Sequence, residues 1–511
     1  MGYSKDSRNG MLKMKFEMSE TLPHLAWCAR ISSQDSQVII CHGDWVETGK
    51  DFFFEGAWDG VFSQSAFIDA TVCMGSGGKI SADGVVFASP THTLEGLYVM
   101  RTHEGIFVSN SLAFLLVKTG DWCDIAYRSY IRDITSITKG IKHFTKTIPT
   151  LEGNAVHLYY YSNVLIRQDL SVIALEKNNP PPFLNYGDVR MFMQDVLQAL
   201  KENARAPSRK RVYELLTTIC SGYDSPAASV LAKEIGCVHA VTYSKARATF
   251  SDTNDSGKII AEILGLEIIE CDREAYLLRD DFPEAEFFAC GNGGVDVVLG
   301  SMASLLPKKM LITGFAGQFW ARGKTAISSE VIRRDASGNS IAEFRLRVGF
   351  IHVPVPYFLA VNYPSIHRIS NSPDMKTWWA GNNYDKPIAR RLVEEAGVPR
   401  HLFGQTKKAI TQSFFSQPLE KVMSSRSFHD FMKFWNMIPH YEGARQRMFF
   451  VSMHYLFLIN AWICAKISGL FGRLGVPVRI NPVVSSRFKQ LPTFVEFTFH
   501  WGLNKIRSRY H

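Results

Sequence analysis

Between residues 212 and 271 the chain alternates short apolar runs with amphipathic ones, and this constrains its fold more than any other feature. Residues 212–220 read as a buried strand, 226–236 as a helix, 239–244 as a second strand, 256–265 as a second helix and 267–271 as a third strand. Such strand–helix–strand units predict a parallel sheet covered by helices, which binds ligands beyond the C-terminal ends of its strands. A further helix is expected over 189–204, just ahead of the series.

Upstream the pattern is different. The runs 36–47, 52–64, 70–75, 84–90, 95–110 and 154–167 are β-type and are separated by Gly, Ser, Asp and Thr clusters, which predicts antiparallel strands. Gly75-Ser76-Gly77-Gly78 has the composition of a phosphate loop, but no helical pattern follows it, so it reads as a turn joining two strands. Asn178-Asn179-Pro180-Pro181-Pro182 then breaks regular structure, because proline removes backbone donors and disfavours helix in the residue before it. The expected architecture is an α+β domain of antiparallel sheets over 1–178, followed over 184–511 by an α/β parallel-sheet domain with a helical C-terminal part.

Hydrophobic residues make up 46% of the 511 and charged residues 21%, which excludes global disorder and allows a large core. A formal charge of +9 favours an anionic ligand without choosing among nucleotide, nucleic acid and lipid. The nine cysteines form no C-x-x-C pair, so neither a zinc ribbon nor a disulfide scaffold is indicated. The N-terminus lacks the apolar run of a secretion signal, and the expected compartment is the cytoplasm. Residues 448–465 are apolar enough to test for a membrane span, but they include Ser452, His454 and Asn460. A buried C-terminal helix is the preferred reading. Peripheral membrane contact through 448–471 is the alternative, since Arg445, Arg447, Lys466 and Arg473 flank the run.

The chemistry is concentrated where the first strand of the alternating series meets its helix, at Cys220-Ser221-Gly222-Tyr223-Asp224-Ser225. Ser225 is suited to N-cap a helix beginning at Pro226, whose free N–H groups and dipole would hold an anion such as pyrophosphate. Asp224 would give Mg²⁺ a hard oxygen ligand.

This loop resembles the S-G-G-x-D-S loop of the asparagine synthetase family of PP-loop ATP pyrophosphatases, with Cys220 at the family's Ser and Ser221 at its first Gly. Further matches are Thr242-Tyr243-Ser244, Asp255-Ser256-Gly257, Lys386-Pro387-Ile388-Ala389-Arg390, Pro399-Arg400 and Gln405-Thr406-Lys407-Lys408-Ala409. Glu95-Gly96-Leu97-Tyr98 and Gly105-Ile106-Phe107-Val108-Ser109-Asn110 resemble the end of the class II glutamine amidotransferase domain that precedes the synthetase, which implies an Ntn-like sandwich. The resemblance implies an ATP-dependent ligase. A small-molecule or peptide carboxylate is adenylated, and an amine or ammonia then attacks the acyl-adenylate to form an amide. It assigns Cys220, Ser221, Gly222, Tyr223, Asp224, Ser225, Tyr243, Gly314 and Gly317 to ATP, Asp224 and Gln318 to Mg²⁺, and Lys407 or Lys408 to charge stabilisation during catalysis.

Two departures matter. A glutamine-using member needs a cysteine nucleophile at position 2, where this chain has Gly2, so the first domain is expected to be degenerate and the nitrogen source to be an amine or ammonia, as in the related β-lactam synthetases and lasso-peptide cyclases. In Ile312-Thr313-Gly314-Phe315-Ala316-Gly317-Gln318, Gln318 stands where the family has an acidic metal ligand. A catalytically inactive relative serving as a scaffold is therefore the alternative function. Modification of tRNA is a lesser one, and no nucleic-acid partner is favoured, because the basic residues near the C-terminus come without an RNA-binding module. Gly291-Asn292-Gly293-Gly294 with Asp296 reads as a turn or a pocket wall, and Trp378-Trp379 as a pair split between core and surface or a stacking platform.

Overall fold

The computed structural model describes residues 12–32, 37–243, 255–323, 327–333, 335–381, 385–405, 418–438 and 496–511, together with residues 452, 455, 456, 458–460, 462–464, 466 and 467 of a helical stretch. Two sheets form the first half. The seven-stranded sheet runs, in spatial order, Lys13–Ser19, Gln37–Gly43, Trp27–Ile31, Gly105–Ser109, Leu97–Thr102, Ala155–Tyr159 and Thr147–Pro149. Its first pair is parallel and the rest antiparallel, so the expectation of antiparallel strands holds except at this edge. The six-stranded sheet is antiparallel throughout, in the order Val172–Glu176, Ser162–Arg167, Gly84–Ala88, Cys73–Ser81, Phe52–Trp58 and Glu47–Thr48. Alternate residues of both, among them Trp27, Ile40, Val108, Phe53, Phe87 and Ile166, meet in one core, which makes the pair a sandwich.

Gly75-Ser76-Gly77-Gly78 is strand interior and not the turn its composition suggested. Gly56 and Gly75 face each other in register with φ of 114° and 138°. A Cβ on Gly56 would lie 2.0 Å from the Met74 carbonyl oxygen, so the glycines serve close backbone approach in mid-sheet.

The second half is built on five parallel strands in the order Glu267–Cys271, His239–Tyr243, Glu214–Thr218, Lys309–Thr313 and Ile351–Pro354. The first three in sequence are those expected from the alternation, with helices Tyr186–Ala204, Asp224–Glu234 and Lys258–Leu264 beside them. The chain begins at the central strand, works outward on one side and then crosses to the other. The strand order therefore reverses next to Glu214–Thr218, and the crevice above that point is where such sheets take ligands.

The two halves share packing. A core containing Leu112–Leu116 of the first half also contains Phe288, Phe344, Trp501 and Tyr510 of the second. The helix Phe497–Ile506 lies on Ala285–Ala289, and Tyr510 stacks on Phe114 with ring centroids 5.0 Å apart. At the centre of the contact, Arg345 places both terminal nitrogens on Glu55, at 2.7 and 3.0 Å, and reaches Glu95 at 2.6–2.9 Å. All three side chains are at most 8% exposed. Burial opposes the charge on Arg345, but the two carboxylates outweigh it and hold the guanidinium pKa above its ordinary value. Burial raises the Glu55 pKa against the pull of Arg345.

The preferred reading of 448–465 as a buried helix is not met by the described residues. Tyr455, Leu456, Ile459, Trp462 and Ile463 are exposed, while Cys464 is buried. Mean hydropathy counts residues and not faces, so it hid the outward direction of this one. Among the described residues no helix is long and apolar enough to cross a membrane.

Candidate functional site

At the switch point the loop after the central strand meets the loop after its neighbour Lys309–Thr313. Thr313 is followed by Gly314, whose Cα lies so near the Asp224 backbone that a Cβ would fall 2.3 Å from its carbonyl carbon. A Cβ on Gly317 would fall 2.0 Å from Asp224 Oδ1. Ala316 between them sits at φ 62°, a left-handed conformation that a non-glycine residue adopts under strain. The two loops thus clasp each other through Asp224.

The helix begins at Asp224, with Tyr223 at the N-cap and no side-chain cap. Ser225 is therefore inside the helix and not its cap: its hydroxyl donates to Cys220 Sγ at 2.8 Å, and the Gly222 N–H meets the same sulfur at 3.3 Å. Burial pushes the Cys220 thiol up to about 12, so the sulfur stays a neutral acceptor and organises the loop. Ser221 donates its hydroxyl to Asp255 at 2.7 Å, its N–H to the Asp255 carbonyl, and its own carbonyl accepts from Gly404 N–H at 2.9 Å. Tyr223 turns away from the crevice. Its ring packs under Phe403 and Gly404, and its hydroxyl accepts from Arg390.

Asp224 is engaged on both oxygens by the Lys386 ammonium, at 2.6 and 2.5 Å, and Trp320 donates its indole N–H to Oδ1 at 2.6 Å. Lys386 is placed at the N-terminal edge of the helix Pro387–Glu395, whose proline occupies its first turn. Gln318 donates its amide to the Ile332 carbonyl at 2.8 Å. These residues do not suit Mg²⁺: the one carboxylate is matched to an ammonium, the neutral amide has turned its donor to the backbone, and no group of three His, Cys, Asp or Glu side chains among the described residues could hold an ion.

Beyond the loop a cavity of about 30 Å³ lies between Cys220, Ser225, Tyr243, Asp255, Arg273 and Phe315. That is room for two or so water molecules at about 10–15 Å³ each. The Tyr243 hydroxyl donates to the Val298 carbonyl at 2.7 Å, leaving its ring as cavity wall. The structure therefore brings together Cys220, Ser221, Gly222, Asp224, Ser225, Tyr243, Gly314, Gly317 and Gln318, and sends only the Tyr223 side chain elsewhere. Lys407 and Lys408 lie outside the described residues.

Sequence reasoning missed three neighbours. Arg273 lies just beyond the third strand, where its place at a strand's C-terminal end was a signal. Lys386 was noted only as part of a motif. Trp320, 96 residues from Asp224, carried no local signal. Asp296 is no pocket wall: its carboxylate accepts from Gly338 N–H, Ser340 N–H and the Ser340 hydroxyl, tying the glycine turn to a distant loop. Trp378 and Trp379 are both half-buried and lie against Arg391 and Arg322. Compared with protein-family models and with curated proteins, the chain matches none.

Proposed function

We propose that the chain is a catalytically silent relative of the asparagine synthetases, one that keeps a synthetase-type crevice at the switch point of its parallel sheet but neutralises it internally, and that it serves as a scaffold or binding component in a biosynthetic complex. The observation that supports this is Lys386 on both oxygens of Asp224, where the family resemblance implied a cation-bound nucleotide. An ammonium is a compact cation that matches the carboxylate's charge without the vacant coordination positions by which a metal would carry phosphates. Gln318 and the small cavity point the same way.

A second reading, an ATP-dependent amide-forming ligase without glutaminase activity, is favoured by the clasp of the two loops around Asp224, which puts Arg273 and Lys386 near the place where phosphates would lie. In that reading a carboxylate attacks the α-phosphate of ATP, pyrophosphate leaves, and an amine displaces AMP; Lys386 would release Asp224 and turn to the phosphates. ATP–pyrophosphate exchange with a broad set of carboxylates, together with ATP titration by calorimetry, decides between them. The silent reading expects no exchange and no Mg²⁺-dependent binding in the natural chain, with binding gained in Lys386→Ala/Gln318→Asp. Exchange by the natural chain would overturn it and establish the ligase.

A further inference from the structure

Two of the nine cysteines, all of them free thiols, are brought opposite each other by the fold. Strands Trp27–Ile31 and Gln37–Gly43 are antiparallel neighbours, and their register sets Cys28 directly against Cys41. Cys73, Cys220 and Cys271 face Trp58, Ser256 and Tyr243 instead. The Gly43 N–H donates to the Ala26 carbonyl at 2.9 Å, and hydrogen-bonded positions alternate along an antiparallel pair. Cys28 and Cys41, two residues further along, therefore form a hydrogen-bonded pair with Cα atoms about 5.5 Å apart. That lies inside the span of about 4.4–6.8 Å that a disulfide bridges. Opposed Cβ atoms stand about 4.5–5.5 Å apart, slightly wider than the roughly 3.5–4.5 Å of a disulfide, so closing the bond draws the strands together and leaves it readily reducible.

Both side chains lie on the outer face of the sheet. Trp27, Ala29, Val38 and Ile40, at the alternate positions, enter the sandwich core, whereas Cys28 belongs to the core that includes helix Leu112–Thr119, with Cys41 at its margin. The two thiols differ in access: Cys28 is 3% exposed, and Cys41 is partly open to solvent. On the far side of Cys41, strand Lys13–Ser19 places Glu17 in register with it, and the Cys41 thiol donates to Glu17 Oε2 at 3.4 Å. Burial raises the pKa of both thiols, and the Lys118 ammonium in the last turn of the covering helix opposes that rise at each. The row thus holds one thiol that a reagent can reach, a second directly behind it that the reagent cannot, and a cation that favours thiolate.

We propose that Cys28 and Cys41 are a reversible thiol–disulfide pair whose oxidant is a small-molecule disulfide, with Cys41 as the point of entry and Cys28 as the resolving thiol. The Cys41 sulfur attacks the small disulfide, a mixed disulfide forms, and one small thiol leaves with the Cys41 proton. The Cys28 sulfur then attacks Cys41 Sγ, and the second small thiol leaves with the Cys28 proton. Two protein thiols and one small disulfide become one protein disulfide and two small thiols, so the two electrons pass from the cysteines to the small disulfide. Neither cysteine belongs to the crevice at Asp224, and the test of the pair does not depend on what that crevice does.

The test is incubation of the reduced, folded full-length protein with oxidised glutathione, followed by acid quenching, alkylation of the remaining thiols and peptide mass mapping. A cross-link between the peptides carrying Cys28 and Cys41 is expected, cleaved by dithiothreitol and formed about tenfold or more faster than any other link among the nine cysteines. Cys28→Ala should halt the sequence after its first step, so that a glutathione adduct on Cys41 accumulates about tenfold or more above its level in the natural chain. Cys41→Ser should give neither product and leave Cys28 unmodified. The natural chain alone is decisive, whether or not the variants fold. Absence of the Cys28–Cys41 link in the folded protein overturns the proposal, as does a link that forms only in urea. A glutathione adduct that persists on Cys41 of the natural chain overturns the pairing, and modification of Cys28 at an undiminished rate in Cys41→Ser overturns the order of attack.

Discussion

A cluster of ion pairs and a single ion pair of similar chemistry sit in contrasting parts of this molecule. Arg345 with Glu55 and Glu95 is sealed between the sandwich and the second half, while Lys386 with Asp224 lies at the rim of the parallel sheet with side chains 11% and 26% exposed. Removing one partner from the sealed cluster strands charge in a place water cannot reach, whereas the rim pair can be rescued by solvent. The first set of charges is part of the architecture, and the second can be exchanged for another ligand. The comparison teaches that the sealed Arg345 cluster joins the two halves, while the partly exposed Lys386–Asp224 pair belongs to the crevice.

The sharpest way to break the comparison is Arg345→Ala, which leaves Glu55 and Glu95 without their cation and should cost about 3–5 kcal/mol in denaturant unfolding. Adding Glu55→Gln and Glu95→Gln should restore part of that loss. A loss under about 1 kcal/mol for Arg345→Ala would show that water reaches the cluster.

A second test concerns Glu343, which accepts from Ser111 and Tyr510 at the same contact between halves. Burial raises its pKa to about 7, and that of Asp296 to about 6. Both values lie above those of the unfolded chain, so the folded state binds more protons. The contribution of these groups is full below about pH 4 and is lost as pH rises through about 6 to 7. Glu343→Gln should flatten this decline, a difference on the order of 3 kcal/mol in the pH dependence of unfolding free energy. An unchanged slope would remove Glu343 as its source.

Gly314→Ala and Gly317→Ala separate backbone from side chain at the rim. The first drives a methyl into the Asp224 backbone and should cost about 1–3 kcal/mol. The second meets only the end of the Asp224 side chain, which can swing aside, and should cost less while turning the carboxylate from Lys386. The smallest effect belongs to Lys386→Ala, about 1 kcal/mol or less in stability, because the pair is partly open to solvent. Equal losses for Arg345→Ala and Lys386→Ala would erase the distinction between the two sites.

How much of this was legible in the sequence depends on the range of the interaction. The three strands 214–218, 239–243 and 267–271 and the helices beside them are written in hydrophobic periodicity, a local property. The remaining parallel strands, Lys309–Thr313 and Ile351–Pro354, are joined to the rest through short helices of five and seven residues and several 3-10 turns, so no regular alternation announced them. The cap at Ser225 was misread because Ser-Pro is a common helix start, whereas Cys220 draws the serine hydroxyl back into the loop. The residues at 220–225 were found because they follow a strand end in the chain, whereas Gly314, Gly317 and Gln318 were named through the family resemblance. Lys386 and Trp320, brought to Asp224 from 162 and 96 positions away, were invisible to any local rule. The Arg345 cluster, bridging 290 and 250 positions, was more remote still.

That last feature bears on how the molecule can be divided. Cutting the chain at its proline-rich joint would give one fragment with two acidic side chains in its interior and another with a guanidinium in its own, and the first would also lose Tyr510, which covers Phe114. Neither piece, made separately, would have a finished interior, so the halves are expected to be obtainable only by co-expression, as a complemented pair.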